Sequence, residues 1–240
     1  LIELLNEDFD DLVAGRRSSP ANAGAWLLDR FDAARVKVGA DPAFGALPPK
    51  LRSELSAAIE PEARELLADK NAGVPDSLAG RTVVIEFARG GPDGSLPPLP
   101  APLGYRYSLS RLSEAILSRA SILYVWVTPE ESRRKNTERT DPDDPGSILH
   151  HGVPMAVMLG DYGTDDMAWL IEHSDRLGTV RIETRGRVHY VPVARFDNRV
   201  DKTTFVRVDP AQWKHEDVDA LHRGLSGALQ SLGSTETART

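Results

Sequence analysis

An α/β fold with a mainly parallel sheet is what this sequence predicts, on three observations. Ile122 to Val127 is an unbroken apolar run rich in β-branched and aromatic residues, the composition of a strand buried on both faces. It passes directly into a helix start, with Thr128 as N-cap, Pro129 as the first helical residue and Glu131 completing a capping box. A second such run, Thr82 to Phe87, precedes an amphipathic stretch, Ser108 to Ala120, whose Leu109, Leu112, Ile116 and Ala120 share a face. Together these make a βαβ unit with parallel strands and a right-handed crossover. The strand ends at Glu86 and Thr128 would then share the sheet edge where open α/β sheets bind ligands.

The 240 residues suffice for a substantial core. A net charge of −7 argues against broad nucleic-acid or anionic-membrane binding, since both need a positive field, but leaves room for a local basic site. The chain has no cysteine, which rules out disulfides and thiolate metal sites and fits a cytoplasmic protein. No apolar run approaches the roughly 20 residues that cross a bilayer. Leu1 in place of an initiator Met suggests a chain that begins upstream.

In chain order, Leu1 to Leu5 reads as a strand end entering Asn6 to Asp11, where Glu7, Asp8, Asp10 and Asp11 gather. These acids suit a solvated turn or helix start, or a base or magnesium-associated carboxylate at a strand end. A weak helix follows, with Trp26, Leu27 and Phe31 as its apolar stripe, then a better one from Leu51 to Lys70 that Pro61 kinks or splits. Glu86, an acid in an apolar strand, needs a cation, metal or donor beside it, and Arg89 is three residues away. Ala88 to Gly104 holds five prolines and four glycines in seventeen residues, the composition of a functional lid or mobile insertion.

The helix after Thr128 carries Glu130, Glu131, Arg133, Arg134, Lys135, Asn136, Glu138 and Arg139. Acid-before-base pairs four apart make it a solvated face; Arg133, Asn136 and Arg139, with no acid four positions before them, make it equally a candidate anion clamp. An acidic turn at Asp141 to Ser147 and adjacent His150 and His151 follow, then helical stretches flanking Asp161, Asp165 and Asp166, which suit helix capping. Thr179 to Glu183 and Val188 to Phe196 read as a hairpin turning at Arg185-Gly186, with Asp197 and Asn198 just beyond. Asp209 caps a terminal helix from Pro210 that Gly233 ends.

This order of parts resembles the P-loop kinase fold of small nucleoside, nucleotide and metabolite kinases. The resemblance implies a three-layer, P-loop NTPase-like α/β sandwich plus the small hairpin: a single domain over 1–233, lid or insert segments at 88–107 and 129–175, and a flexible tail at 234–240. It implies Mg2+ and ATP as cofactors. Asp8, Glu86, Arg133 and Arg139 would be the catalytic set, Glu86 also the metal ligand, Arg89 and Asp10 substrate contacts, and Asn136 and Asn198 nucleotide contacts. Lid arginines in such a site neutralise charge on the transferring phosphoryl group. The phosphate-cradling loop G-x-x-x-x-G-K-[ST] occurs nowhere in the 240 residues; in the family it precedes the acidic strand, about where this chain begins.

The expected activity is therefore ATP-dependent phosphotransfer to a small hydroxyl-bearing molecule, with no nucleic-acid or membrane partner. A non-catalytic nucleotide-binding or protein-interaction module of the same fold is the alternative. A metal-dependent hydrolase using the Asp141 to Asp166 acids with His150 or His151 is the third reading.

Overall fold

The computed structural model describes residues 1–139 and 152–237; the acidic turn at 141–147, His150 and His151 lie outside the described residues. The helices are α1 (Ile2–Val13), α2 (Ala23–Lys37), α3 (Pro49–Ala58), α4 (Glu60–Ala72), α5 (Gly104–Ser110), α6 (Glu114–Leu117), α7 (Pro129–Arg139), α8 (Met155–Asp161), α9 (Met167–Glu172) and α10 (His215–Thr237). The strands are β1 (Ile122–Trp126), β2 (Thr179–Thr184) and β3 (Arg187–Asp197), and short 3-10 turns occupy Thr204–Arg207 and Pro210–Gln212. Among the described residues no helix is long and apolar enough to cross a membrane. The chain divides into two compact units, Leu1–Glu86 with Arg111–Ile116, and Phe87–Ser110 with the chain from Leu117 onward.

The first unit is helical. Ile2, Leu5, Phe9 and Leu12 recur at helical spacing, so the opening residues belong to α1 and do not form the expected strand end. Asn22 caps α2 by accepting from the Ala25 N–H, and the Pro61 break separates α3 from α4 at Ile59. Ala23, Ala63 and Leu67 form the core under Trp26 and Leu27. Asn6, buried on α1, donates to the Arg111 carbonyl at 2.9 Å and accepts from the Ser113 N–H at 2.7 Å, which fastens residues 111–116 into this unit.

The second unit holds the sheet. The fold differs from the predicted three-layer sandwich with a mainly parallel sheet: the described residues form one mixed three-stranded sheet in the order β1-β3-β2. β1 lies parallel to β3, with Ile122 opposite Val193 and Trp126 opposite Asp197, and β2 is antiparallel to β3. The hairpin between β2 and β3 matches the sequence. Arg185 and Gly186 both take positive φ, 48° and 78°, the pairing a two-residue turn needs to follow strand twist.

Two predicted pieces of the βαβ unit are absent. Thr82 to Phe87 forms no strand; Val84 is 86% exposed, and a strand exists only where a neighbour takes its hydrogen bonds. The amphipathic stretch at 108–120 breaks into the end of α5 and the short α6. β1 alternates instead of being buried on both faces: Tyr124 is buried while Leu123 and Val125 are exposed.

α10 covers β3 on the face carrying Ala194 and Phe196. It starts at His215, since Asp209 caps only the Pro210–Gln212 turn, and it runs past Gly233. Gly224 lets it approach: a Cβ there would lie 2.6 Å from the buried Phe196 ring, whereas one on Gly227 would meet nothing within 4 Å. Gly224→Ala should therefore lower stability by about 1–2 kcal/mol through overpacking. Gly227→Ala should raise it by up to about 1 kcal/mol from helix propensity. Urea unfolding of both variants beside the wild type checks the opposite signs.

Candidate functional site

The chemistry of the second unit converges on the sheet face opposite α10. Residues paired across parallel strands share a face, so Tyr124 stands beside Arg195 and Trp126 beside Asp197. The Tyr124 hydroxyl donates to Asp165 Oδ2 at 2.9 Å, and Asp165 Oδ1 accepts from the Met167 N–H at 2.8 Å. Next to it Asp166, 0% exposed, accepts from the backbone N–H groups of Tyr105 and Arg106 at 2.6 and 3.3 Å. It caps the start of α5, where Gly104 holds φ at 73° and a Cβ would lie 2.6 Å from the Asp166 carboxylate.

Burial pushes Asp165 above the ordinary aspartate range, and the charge of Asp166 adds to that; the Met167 N–H, the Tyr124 hydroxyl and Arg195 oppose it. Burial and the charge of Asp165 push Tyr105 up to about 12 and raise Tyr124 as well. At neutral pH both tyrosines are therefore protonated donors.

Trp126 organises the cations at the carboxyl end of β1. The Arg199 and Arg195 guanidinium carbons lie 3.7 and 4.4 Å from its ring centroid. Arg199 is neutralised by Asp197, through contacts of 3.0 and 2.7 Å that hold this carboxyl well below its usual range. Arg195 differs: half-buried, it has no hydrogen-bond acceptor or ion-pair partner among the described residues. Stacking on an aromatic ring fixes a guanidinium plane while leaving its in-plane N–H groups free.

The residues expected from the sequence are dispersed. Asp8 sits on α1 and pairs with Arg30 at 2.6 Å and Lys70 at 3.6 Å, and Asp10 is exposed on the same helix. Neighbouring Asp11 meets Lys70 at 2.7 Å and Arg16 at 2.9 Å. Glu86 is exposed on the unpaired 82–87 segment, contrary to its expected buried strand end. No three His, Asp or Glu side chains among the described residues gather to hold a metal. Asp8, Asp10 and Glu86 belong to the helical unit, the remaining predicted residues to the sheet-bearing one.

In the second unit, Arg89 lies over the Phe87 ring at 5.2 Å and donates to the Ala88 carbonyl. Asn136 and Asn198 are buried and bonded within the protein. Asn136 exchanges two 2.8 Å hydrogen bonds with Val153; Asn198 accepts from the Lys202 N–H at 2.8 Å and donates to Thr203 at 3.1 Å. Arg133 reaches Asp93 and Glu130 only at 3.4 and 3.5 Å, and Arg139 reaches the Asn136 oxygen at 3.4 Å.

Half of the predicted capping box forms, with Thr128 accepting from the Glu131 N–H while the Glu131 side chain turns to Arg134. Lys135 and Arg134 fasten α7 to Asp201 at 2.6 and 3.2 Å. Burial works against the Asp201 charge, but Lys135, Thr204 and the Thr203 and Thr204 N–H groups hold its carboxyl far below the usual range. The Pro/Gly stretch is hydrogen-bonded along 159–164: Gly91 and Thr164 form an antiparallel bridge, and Asp93 N–H donates to the Leu159 carbonyl at 2.8 Å. Its glycines permit close backbone packing, since a Cβ on Gly90 would lie 2.6 Å from the Thr164 carbonyl oxygen.

Sequence reasoning missed Tyr105, Tyr124, Trp126, Arg195 and Arg199. One signal was available: Arg195 interrupts the apolar run Val191 to Phe196, and a charge inside a strand requires a partner or a ligand. Compared with protein-family models, curated proteins and solved structures, the chain matches none.

Asp165 sets a pH signature. Its folded-state pKa lies above the ordinary value of 3.8, so its contribution is fully present below that value and is lost as pH rises through the raised pKa. Asp165→Asn keeps an acceptor for Met167 and removes the titration. Urea midpoints over acid to neutral pH should coincide for the two proteins at the acid end, then separate in favour of the variant and level off.

Proposed function

We propose that the sheet-bearing unit binds a phosphate-bearing small molecule of the nucleotide class, with Arg195 as the principal anion contact. The observation that carries this reading is the half-buried Arg195 guanidinium, stacked on Trp126 without a protein acceptor. A planar guanidinium offers paired donors matched to phosphate oxygens, and holding it on a ring reduces the entropy lost on binding. The net charge of −7 confines attraction for polyanions to this local patch.

A binding module is the reading the geometry favours over phosphotransfer. The Asp8 carboxylate expected to act as base is held by Arg30 and Lys70, and Glu86 stands exposed. Phosphoryl transfer from ATP to a hydroxyl-bearing acceptor remains the activity that this anion contact would serve in an enzyme. Assaying ADP formation with candidate acceptors, in the presence of magnesium, separates the two readings.

Titration calorimetry with ATP, with and without magnesium, tests the binding itself. Saturable binding should weaken about ten-fold or more in Arg195→Ala, because a hydrogen bond to a charged group contributes about 1.5–3 kcal/mol. Absence of saturable heat, or equal affinity in the variant, overturns the proposal.

A further inference from the structure

β1 is an open edge. It ends the sheet on one side in the order β1-β3-β2, and the Asn198 N–H donates to the Trp126 carbonyl at 2.9 Å, so the main-chain groups of Trp126 face β3. Main-chain groups alternate sides along a strand, which puts those of Ile122 and Tyr124 toward β3 as well and turns those of Leu123 and Val125 outward. The outward groups have no hydrogen-bond partner among the described residues. Their side chains are 37% and 49% exposed, because α10 lies chiefly over β3. Edge strands are ordinarily guarded by a lysine, a proline or a bulge; residues 122–127 contain neither lysine nor proline, and the register of β1 with β3 is unbroken.

The same chain carries a strand-like segment without a neighbour. Thr82, Val83, Val84 and Ile85 are all β-branched, the residue type that fits a pleated surface. Yet no main-chain N–H or carbonyl group of residues 82–86 has a hydrogen bond among the described residues, and Val83 and Val84 are exposed. The segment is held at both ends: the Arg81 N–H donates to the Leu78 carbonyl at 3.1 Å, and the Phe87 carbonyl accepts from the Tyr105 hydroxyl at 3.2 Å. An apolar strap with open main-chain groups and an apolar edge with open main-chain groups each supply what the other lacks. Within one chain both stay unpaired, so the complementary element is the one in another copy.

We propose that residues 82–86 of one copy add as a strand to the β1 edge of a second copy. Each copy offers one strand and one edge, so the exchange is reciprocal in a dimer and satisfies both open elements, as an isologous interface requires. Alternate side chains of the added strand meet Leu123 and Val125 on one face. Residues 82–85 and 122–127 carry no charge, so the net charge of −7 resides outside the pairing surfaces.

Sedimentation velocity of the full 240-residue chain should show a monomer–dimer equilibrium that moves to dimer as concentration rises. Val84→Lys and Val125→Glu, changes at exposed side chains, should each weaken dimerisation about ten-fold or more, since pairing would then bury an unpaired charge. Mixing the two variants should recover dimers: one pairing joins the two unchanged elements, and the other brings the introduced lysine to the introduced glutamate. Far-UV circular dichroism checks that both keep the wild-type fold, and Val84→Lys, at a position 86% exposed, suffices alone where Val125→Glu does not. A chain that stays monomeric at every concentration, dimers that persist in either folded variant alone, or a mixture no more dimeric than its components would each overturn the proposal.

Discussion

The sheet-bearing unit depends on two adjacent carboxylates doing different work. Asp166 is completely buried and answers the first N–H groups of α5, sixty residues earlier in the chain. Asp165 takes the Tyr124 hydroxyl and so ties the approach to α9 to the middle of β1. Buried acceptors of this kind are costly when unmatched, so each partner's position is fixed by the other. Gly104 belongs to the same constraint, because both its positive φ and its missing Cβ are needed for the Asp166 carboxylate to approach.

On the sheet face that this arrangement builds, the groups separate by how their charges are balanced. Arg199 with Asp197, and Arg134 and Lys135 with Asp201 and Glu131, are closed ion pairs that hold loops and α7 in place. Arg195 is held by stacking, which orients a guanidinium without occupying its donors. A satisfied cation supports the structure, whereas an oriented cation with open donors can meet a ligand.

The predicted site was built from residue type and strand-end position, and the structure shows why that was insufficient. The arginine and asparagine stripe of α7 was legible as a cluster, yet its middle member is buried and bonds the Val153 backbone. The glycines of the 88–104 stretch looked like freedom of motion, but at Gly90 the missing Cβ allows close backbone contact with 161–164, and Gly91 bonds the backbone of Gly163 and Thr164. The acids of α1 were visible, whereas their partners Arg30 and Lys70 lie on other helices, 22 and 59 residues away from the acids they meet.

Features that local physics sets are legible in the amino-acid order. Helical periodicity places α2 and α4, Pro61 separates α3 from α4, Thr128 starts α7, and Arg185-Gly186 turns the hairpin between two β-branched runs. Each signal acts over a few residues through backbone φ, capping or side-chain spacing. Only the tertiary fold sets that Ile122 to Trp126 finds a strand partner in β3 while the largely apolar Thr82 to Phe87 forms no strand. It also decided which carboxylates are neutralised and which guanidinium keeps open donors. Strand pairing and charge pairing join residues far apart in the chain, and apolar character makes a segment able to pair without specifying its partner.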